Sequence, residues 1–412
     1  MASNVIIIGA GLSGLACALK LQDAGISFVL LDASDAPGGR VRTDRHGGFL
    51  LDRGFQVYLD AYPQAGRLVD LPALDLRPFL PGALVFHEGK MHRVMDVFRR
   101  PRSLIPSALA PIGTLADKLR VALLKWRVHR SSLAEISARP DRSTLAYLRE
   151  FGFSEKMIDV FFRSFYGGIF LERELRTSSR MFEFTFKMFS AGSAALPASG
   201  MGGISRQLAA RLPAEALRLH SPVARISQGS VTLATGEIIT ADEIVVAVDA
   251  AAAAALLPGT FPHPVPWRAV TNLYFSSEKS PITEPIIALN GSGKGLVNNV
   301  CVLTELSREY APPDLHLISV AVLGCNEAAD LPMMVTDELT AWFGPEVREW
   351  RHLRTDHIKH ALPEQLPGAT GKYTLPPGLH LCGDYQTSAS IEGAITSGLR
   401  TAEALILARS DV

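Results

Sequence analysis

Only four cysteines occur in the 412 residues, Cys17, Cys301, Cys325 and Cys382, and no two of them form a CxxC pair. Their scarcity and spacing argue against a disulfide framework or a structural zinc site, and suit a reducing, cytoplasmic setting. Net charge is lacking too, because 41 Lys and Arg balance 41 Asp and Glu. Nothing therefore points to nucleic acid as a partner. No apolar run is long enough to span a bilayer, and the longest, Ala247 to Pro258, is interrupted by Asp249. No cationic lead-in precedes the first apolar residues, so a secretory signal is not expected. Internal repeats, low-complexity tracts and metal-ligand spacings are absent as well. With 47% hydrophobic and 20% charged residues, the chain reads as a compact protein of two or more domains.

What is present is glycine at positions where phosphate chemistry needs it. The apolar run Val5 to Ile8 stops at Gly9, and Gly9-x-Gly11-x-x-Gly14 then opens a helix. Gly9 suits a tight turn, Gly11 lets backbone approach a pyrophosphate, and Gly14 permits close helix–strand packing. The helix start, with Leu12 and Ser13, offers unpaired N–H groups to a diphosphate. A second apolar run, Phe28 to Leu31, ends at Asp32-Ala33, where an acid binds a ribose hydroxyl. A second glycine turn, Gly38-Gly39-Arg40-x-Arg42-Thr43, follows, and Arg40 has the fork geometry for phosphate.

The tandem of Rossmann acid and GG-R-x-x-T resembles the start of the flavin amine oxidase superfamily, which includes protoporphyrinogen oxidases and phytoene desaturases. The resemblance implies an α/β fold: a Rossmann-type, GR2-like FAD-binding domain with an inserted substrate domain of mixed sheet and helices. It also implies non-covalent FAD. In this family the C-terminal element, here Gly383-Asp384 followed by Ser390-Ile391-Glu392-Gly393, closes the flavin site. Gly54 and Phe55 pass behind the ring, and Val223, on a strand from Ser221 to Ile226, contacts adenine. A positive helix end at residues 390–392 would stabilise charge on the reduced flavin. The FAD domain is expected from 1–70, 200–254 and 366–412. The substrate domain is expected from 71–199, largely helical, and 255–365, with strands near Ala269–Phe275, Leu296–Leu303 and Leu315–Leu323.

Charge is unevenly spread: residues 90–130 hold ten Lys or Arg and two acids. From Thr114 to Arg130 the pattern is helical, with Leu115, Leu119, Ala122, Leu123 and Trp126 on one face beside Lys118, Arg120, Lys125 and Arg127. That face either packs on the core, the reading favoured from sequence, or meets a membrane surface. The phenylalanines of residues 161–189 read as core first and as a tunnel lining second.

Departures from the family pattern bear on the reaction. The flavin-proximal lysine of amine oxidases aligns nearest to Asn272, and their aromatic flank to Ser390. An ammonium substrate would lack its π-faces. Gly200-Met201-Gly202-Gly203 and Asn298-Asn299-Val300 resemble desaturase-like and carotene-isomerase-like oxidoreductases. The expectation is dehydrogenation of a lipophilic, isoprenoid-like substrate. Alternatives are an amine or porphyrinogen oxidase, a non-redox polyene isomerase or cyclase using reduced FAD, an NAD dehydrogenase, or a non-catalytic membrane-binding flavoprotein. His357 and His360 are candidate proton acceptors; catalytic residues, electron acceptor and oligomeric state are not assigned.

Overall fold

The computed structural model describes residues 4–96, 99–100, 102, 110–261, 263–369 and 373–410. Parts of the cationic stretch 90–130 therefore lie outside the described residues. Both chain ends enter one parallel sheet. Its order is Leu217–Arg218, Phe28–Leu31, Val5–Ile8, Glu243–Val246 and Leu379–Leu381. Alternation of side chains splits its apolar residues between two faces. Val5, Ile7, Leu30 and Val245 meet helix Leu12–Asp23 and the C-terminal helix Ile391–Ser410. Ile6, Ile8, Val29, Leu31, Ile244 and Val246 meet an antiparallel meander, Val223–Ser227, Ser230–Leu233 and Ile238–Thr240. The two helices touch closely: a Cβ added to Gly398 would lie 2.0 Å from the Ser13 carbonyl oxygen. The patch Ala247 to Pro258 yields a short helix, Ala250–Leu256, capped by Asp249.

A larger sheet of seven strands carries the substrate half, in the order Arg351–Pro363, Trp267–Ser277, His316–Leu323, Val297–Val302, Ile287–Asn290, Gly82–His87 and Lys90–Met95. The three strands expected from sequence are all present. Among the described residues of 71–199, a short helix at Leu71–Leu74 comes first, the longer helices begin at Leu115, and residues 82–95 form a hairpin that completes the sheet edge. The short apolar run Ala83–Phe86, followed by the Glu88-Gly89 turn, fits one arm of a hairpin. One face of the sheet packs under helix Leu331–Phe343 through Leu273, Phe275, Val300, Val320 and Val335. The other face looks toward the nucleotide half.

The two halves are tied at one buried acid. Asp52 accepts hydrogen bonds from Thr43 Oγ1 (2.5 Å), the Met201 amide (2.9 Å) and Tyr310 OH (2.9 Å). Its own carbonyl accepts from Tyr274 OH at 2.6 Å. Thr43, the last residue of the second glycine motif, also accepts from the Gly202 amide. The motif threonine thus anchors the Gly200–Gly203 turn, and Tyr274 and Tyr310 bring in the substrate half.

Burial raises the Asp52 carboxyl to about 6 despite these hydrogen bonds, which lower it. The folded state therefore binds this proton more tightly than the unfolded chain, and stability from this group falls as pH rises from about 4 to about 6. Asp52→Asn keeps an oxygen acceptor but does not titrate. It is expected to gain stability relative to the native protein across that window, by up to about 3 kcal/mol. Urea unfolding at a series of pH values measures this, and a difference independent of pH would contradict it.

Candidate functional site

A cavity of about 1570 Å³ reaches from the carboxyl ends of the parallel strands to the helix Leu115–Arg130. Such ends are where open α/β sheets hold ligands. Gly9, Gly11, Leu12 and Ser13 line it, as do Asp32, Ala33, Gly38, Gly39 and Arg40. The two glycine turns lie side by side, with a bridge between Gly11 and Gly38 and the Gly38 amide donating to the Ala10 carbonyl at 2.8 Å. Gly9 and Gly38 have φ of 105° and 121°, which other residues resist. A Cβ on Gly11 would meet nothing within 4 Å and would project into the cavity. Gly14 does not line it, and serves packing: a Cβ there would sit 1.9 Å from the Gly9 carbonyl oxygen. Asp32 holds the loop in shape by accepting from the Ala10 amide (2.6 Å) and the Ser34 amide (2.7 Å).

The C-terminal segment closes this end. Arg40 makes a two-pronged bond to Asp384 (2.9 and 2.7 Å) and donates to the Ala361 carbonyl at 3.1 Å. Its guanidinium also lies 5.4 Å from the Trp267 ring. The fork read from sequence as a phosphate ligand is thus engaged by a carboxylate, although both residues line the cavity. Burial disfavours the Arg40 charge, but Asp384 outweighs it and holds the guanidinium's pKa above its ordinary value. Gly383 lines the cavity from just after the strand Leu379–Leu381, Ser390 and Ile391 from the start of the C-terminal helix, Gly54 and Phe55 from the segment after Asp52, and Val223 from the meander. Glu392 does not. Its carboxylate accepts from the Gln64 and Ala65 amides (3.0 and 2.9 Å) and caps the short helix Ala65–Leu68. A partner 327 residues away in sequence left no local sign of this.

Beyond the nucleotide half the walls turn apolar. Phe161, Phe165, Phe186 and Phe189 line the cavity, whereas Phe162, Phe170 and Phe182 are buried in the helical core. The aromatic stretch thus divides between the roles of core and lining. Asn272 is fully buried and is not among the lining residues; its Oδ1 accepts from Ser319 Oγ at 3.1 Å. His357 and His360 are exposed and also absent from the lining, with His360 stacked on Trp267. Asn299 does line the cavity. Sequence reasoning gave it no role, although its polar pair inside the apolar run Val297–Val302 was the available signal.

The helix Leu115–Arg130 reverses the favoured reading of its apolar face. Asp117, Leu124 and Val128 are buried, and Asp117 accepts from the Ser154 amide and hydroxyl. Leu115, Leu119, Leu123 and Trp126 are 68, 74, 54 and 55% exposed. The helix is apolar on two sides, and the core takes the other one. Leu115 and Leu119 also line the cavity, so it opens here. No described helix is long and apolar enough to cross a membrane.

The glycine cradle, the acid after the second strand and the closing C-terminal helix fit an FAD-type dinucleotide. Comparison with known proteins agrees. Residues 12–406 match the model of the flavin containing amine oxidoreductase family. Phytoene dehydrogenase of Streptomyces griseus is 26% identical over 407 residues, covering 89% of this chain and 79% of that protein. Protoporphyrinogen oxidase 2 of Arabidopsis thaliana is 26% identical over 40% of this chain, a match spanning only 32% of the plant protein. The structure of a putrescine oxidase double mutant shares the fold, with TM-score 0.74 and 18% identity over 99% of this chain and 100% of that one. The chain belongs to the flavin-containing amine oxidoreductase family and is an FAD-dependent oxidoreductase.

Proposed function

We propose that this enzyme dehydrogenates a lipophilic, isoprenoid-like substrate that enters from a membrane surface. The observation that carries this reading is one apolar passage leading from the nucleotide half to a helix whose large apolar side chains face outward. Phytoene dehydrogenase among the relatives favours the same direction. An ammonium substrate fits less well. The acid on this stretch, Asp96, is engaged by Lys125 at 2.7 Å, and Arg99 and Lys118 add positive charge nearby.

In this reading Gly9, Gly11, Gly38 and Gly39 present backbone to the diphosphate. Asp32 takes a ribose hydroxyl, and Val223 lies along the adenine. Gly54, Phe55, Ser390 and Ile391 flank the ring. FAD, when bound, supplies the two-electron acceptor. The phenylalanine walls orient an extended apolar chain and exclude water, which such chemistry needs more than a strong acid–base pair. The cofactor is held non-covalently, since no cysteine lines the cavity among the described residues. Arg120, Arg127 and Arg130 flank the exposed stripe, and Arg130 lies over Trp126 at 4.8 Å. Apolar side chains with cations beside them suit an anionic lipid surface.

Anaerobic mixing with polyenes, amines and porphyrinogens is expected to bleach the flavin with polyenes; bleaching by amines alone would reverse the reading. Asp32→Ala leaves two backbone amides and a ribose hydroxyl without their acceptor. It should weaken FAD retention roughly ten- to a hundred-fold, measured by titrating the stripped protein with FAD. The double variant Leu119→Glu, Trp126→Glu should lose sedimentation with phosphatidylglycerol vesicles while keeping the native flavin spectrum. Undiminished sedimentation would place any membrane contact elsewhere.

A further inference from the structure

One face of the helix Leu115–Arg130 carries two lysines into the cavity wall. Leu115, Lys118, Leu119, Ala122 and Lys125 all line it, at the three-to-four-residue spacing of a single helical stripe. Lys118 and Lys125 stand two turns apart, about 10 Å along the axis. Asp96 and Arg99 line the same end. Asp96 accepts from Lys125 Nζ at 2.7 Å and lies 3.8 Å from the Arg99 guanidinium. Arg99 also donates to the Phe189 and Ser190 carbonyls (3.2 and 3.1 Å), where helix Ser179–Ala191 ends. Lys118 Nζ donates to the Ala110 carbonyl at 3.2 Å. Three cations thus share one lining carboxylate at this end, and residues 97–116 contribute no acid to the sequence. The Arg99, Lys125 and Asp96 side chains stay 27, 22 and 26% accessible, so the charge is not sealed off. Burial lowers the Lys118 pKa although the Asp117 carboxylate pulls the other way, which leaves this ammonium short of compensating charge.

Resting on the substrate reading above, we propose that the substrate is an amphiphile with an anionic end, which enters tail first and leaves that end on Lys118, Lys125 and Arg99. The excess positive charge draws an anion to this end of the cavity. Beyond it the walls accept only the apolar remainder. The reverse orientation would bury the anion among Phe161, Phe165, Phe186 and Phe189 with no partner, which is strongly unfavourable. Holding the head at the helix also fixes how far the chain reaches toward the nucleotide half. The protein thereby sets the distance from the anion to the carbon that reacts.

The test uses the flavin-loaded protein, with radiolabelled geranylgeranoic acid and its methyl ester, and affinity read by equilibrium dialysis at pH 8. The native protein should hold the acid roughly ten-fold tighter at low salt, and the margin should shrink as salt is raised. The double variant Lys118→Gln, Lys125→Gln should bring the two affinities together by weakening the acid and leaving the ester unchanged. Lys118→Arg keeps the charge and should keep the preference. An intact flavin spectrum reports that each variant is folded. Equal affinities in the native protein would overturn the proposal while leaving dehydrogenation of a lipophilic substrate standing. A preference for the acid that survives the double substitution, with binding to phosphatidylglycerol vesicles lost, would assign the charge to bilayer head groups and overturn it as well. Binding of neither probe would overturn both readings.

Discussion

The side chain of Asp52 joins segments that lie far apart in the sequence. Thr43 and Met201 bond to it from the nucleotide half, Tyr310 from the substrate half, and Tyr274 reaches its carbonyl. All are deeply buried apart from the threonine, so each donor would be costly to leave unsatisfied. A carboxylate at such a site carries a desolvation penalty, visible in its raised pKa. The geometry that results fixes the large sheet over the glycine turns, and so sets where a substrate can lie relative to the nucleotide. A buried polar knot of this kind trades stability for a defined arrangement of two halves.

The cradle itself depends on short distances that only glycine allows. Gly14 lies against Gly9, and Gly398 against Ser13, each with no space for a methyl group. These two contacts seat the first and last helices on the same sheet, which is why the ends of the chain share one site. The Arg40–Asp384 pair then latches the second glycine turn to the C-terminal strand end. A guanidinium engaged in that way is held in place by the carboxylate and is not left free at the cavity wall. Arg40 lines the cavity, and the partner it acquires in the fold is set by the returning chain.

Legibility in the sequence follows the range of each interaction. The glycine turns, Asp32 and the strands around residues 270, 300 and 320 were readable because local backbone demands and apolar alternation dictate them. Glu392 was misplaced because the amides it caps belong to a helix assembled from the other end of the chain. The hairpin Gly82–His87 with Lys90–Met95 was missed because its pairing partner, Ile287–Asn290, is distant. The helix after Thr114 was placed correctly, with its capping box intact. Its direction was not, because Leu124 and Val128 offer the core as good a face as Leu119 and Trp126 do. Period alone cannot choose between two apolar sides of one helix.

That choice bears on the whole reading of function. Four large apolar side chains turned outward at helical spacing cost solubility, whereas scattered ones would need no explanation. Here the buried side is anchored firmly, through Asp117 to Ser154 and through Leu124 and Val128 to the helical core. The exposed side therefore cannot be relieved by rotating the helix, and its apolar character persists in the folded protein. Two of its residues are also cavity walls. An apolar molecule leaving a lipid layer at this point would cross from one apolar surface to another without an aqueous step. Such a molecule pays almost no hydrophobic penalty in transfer.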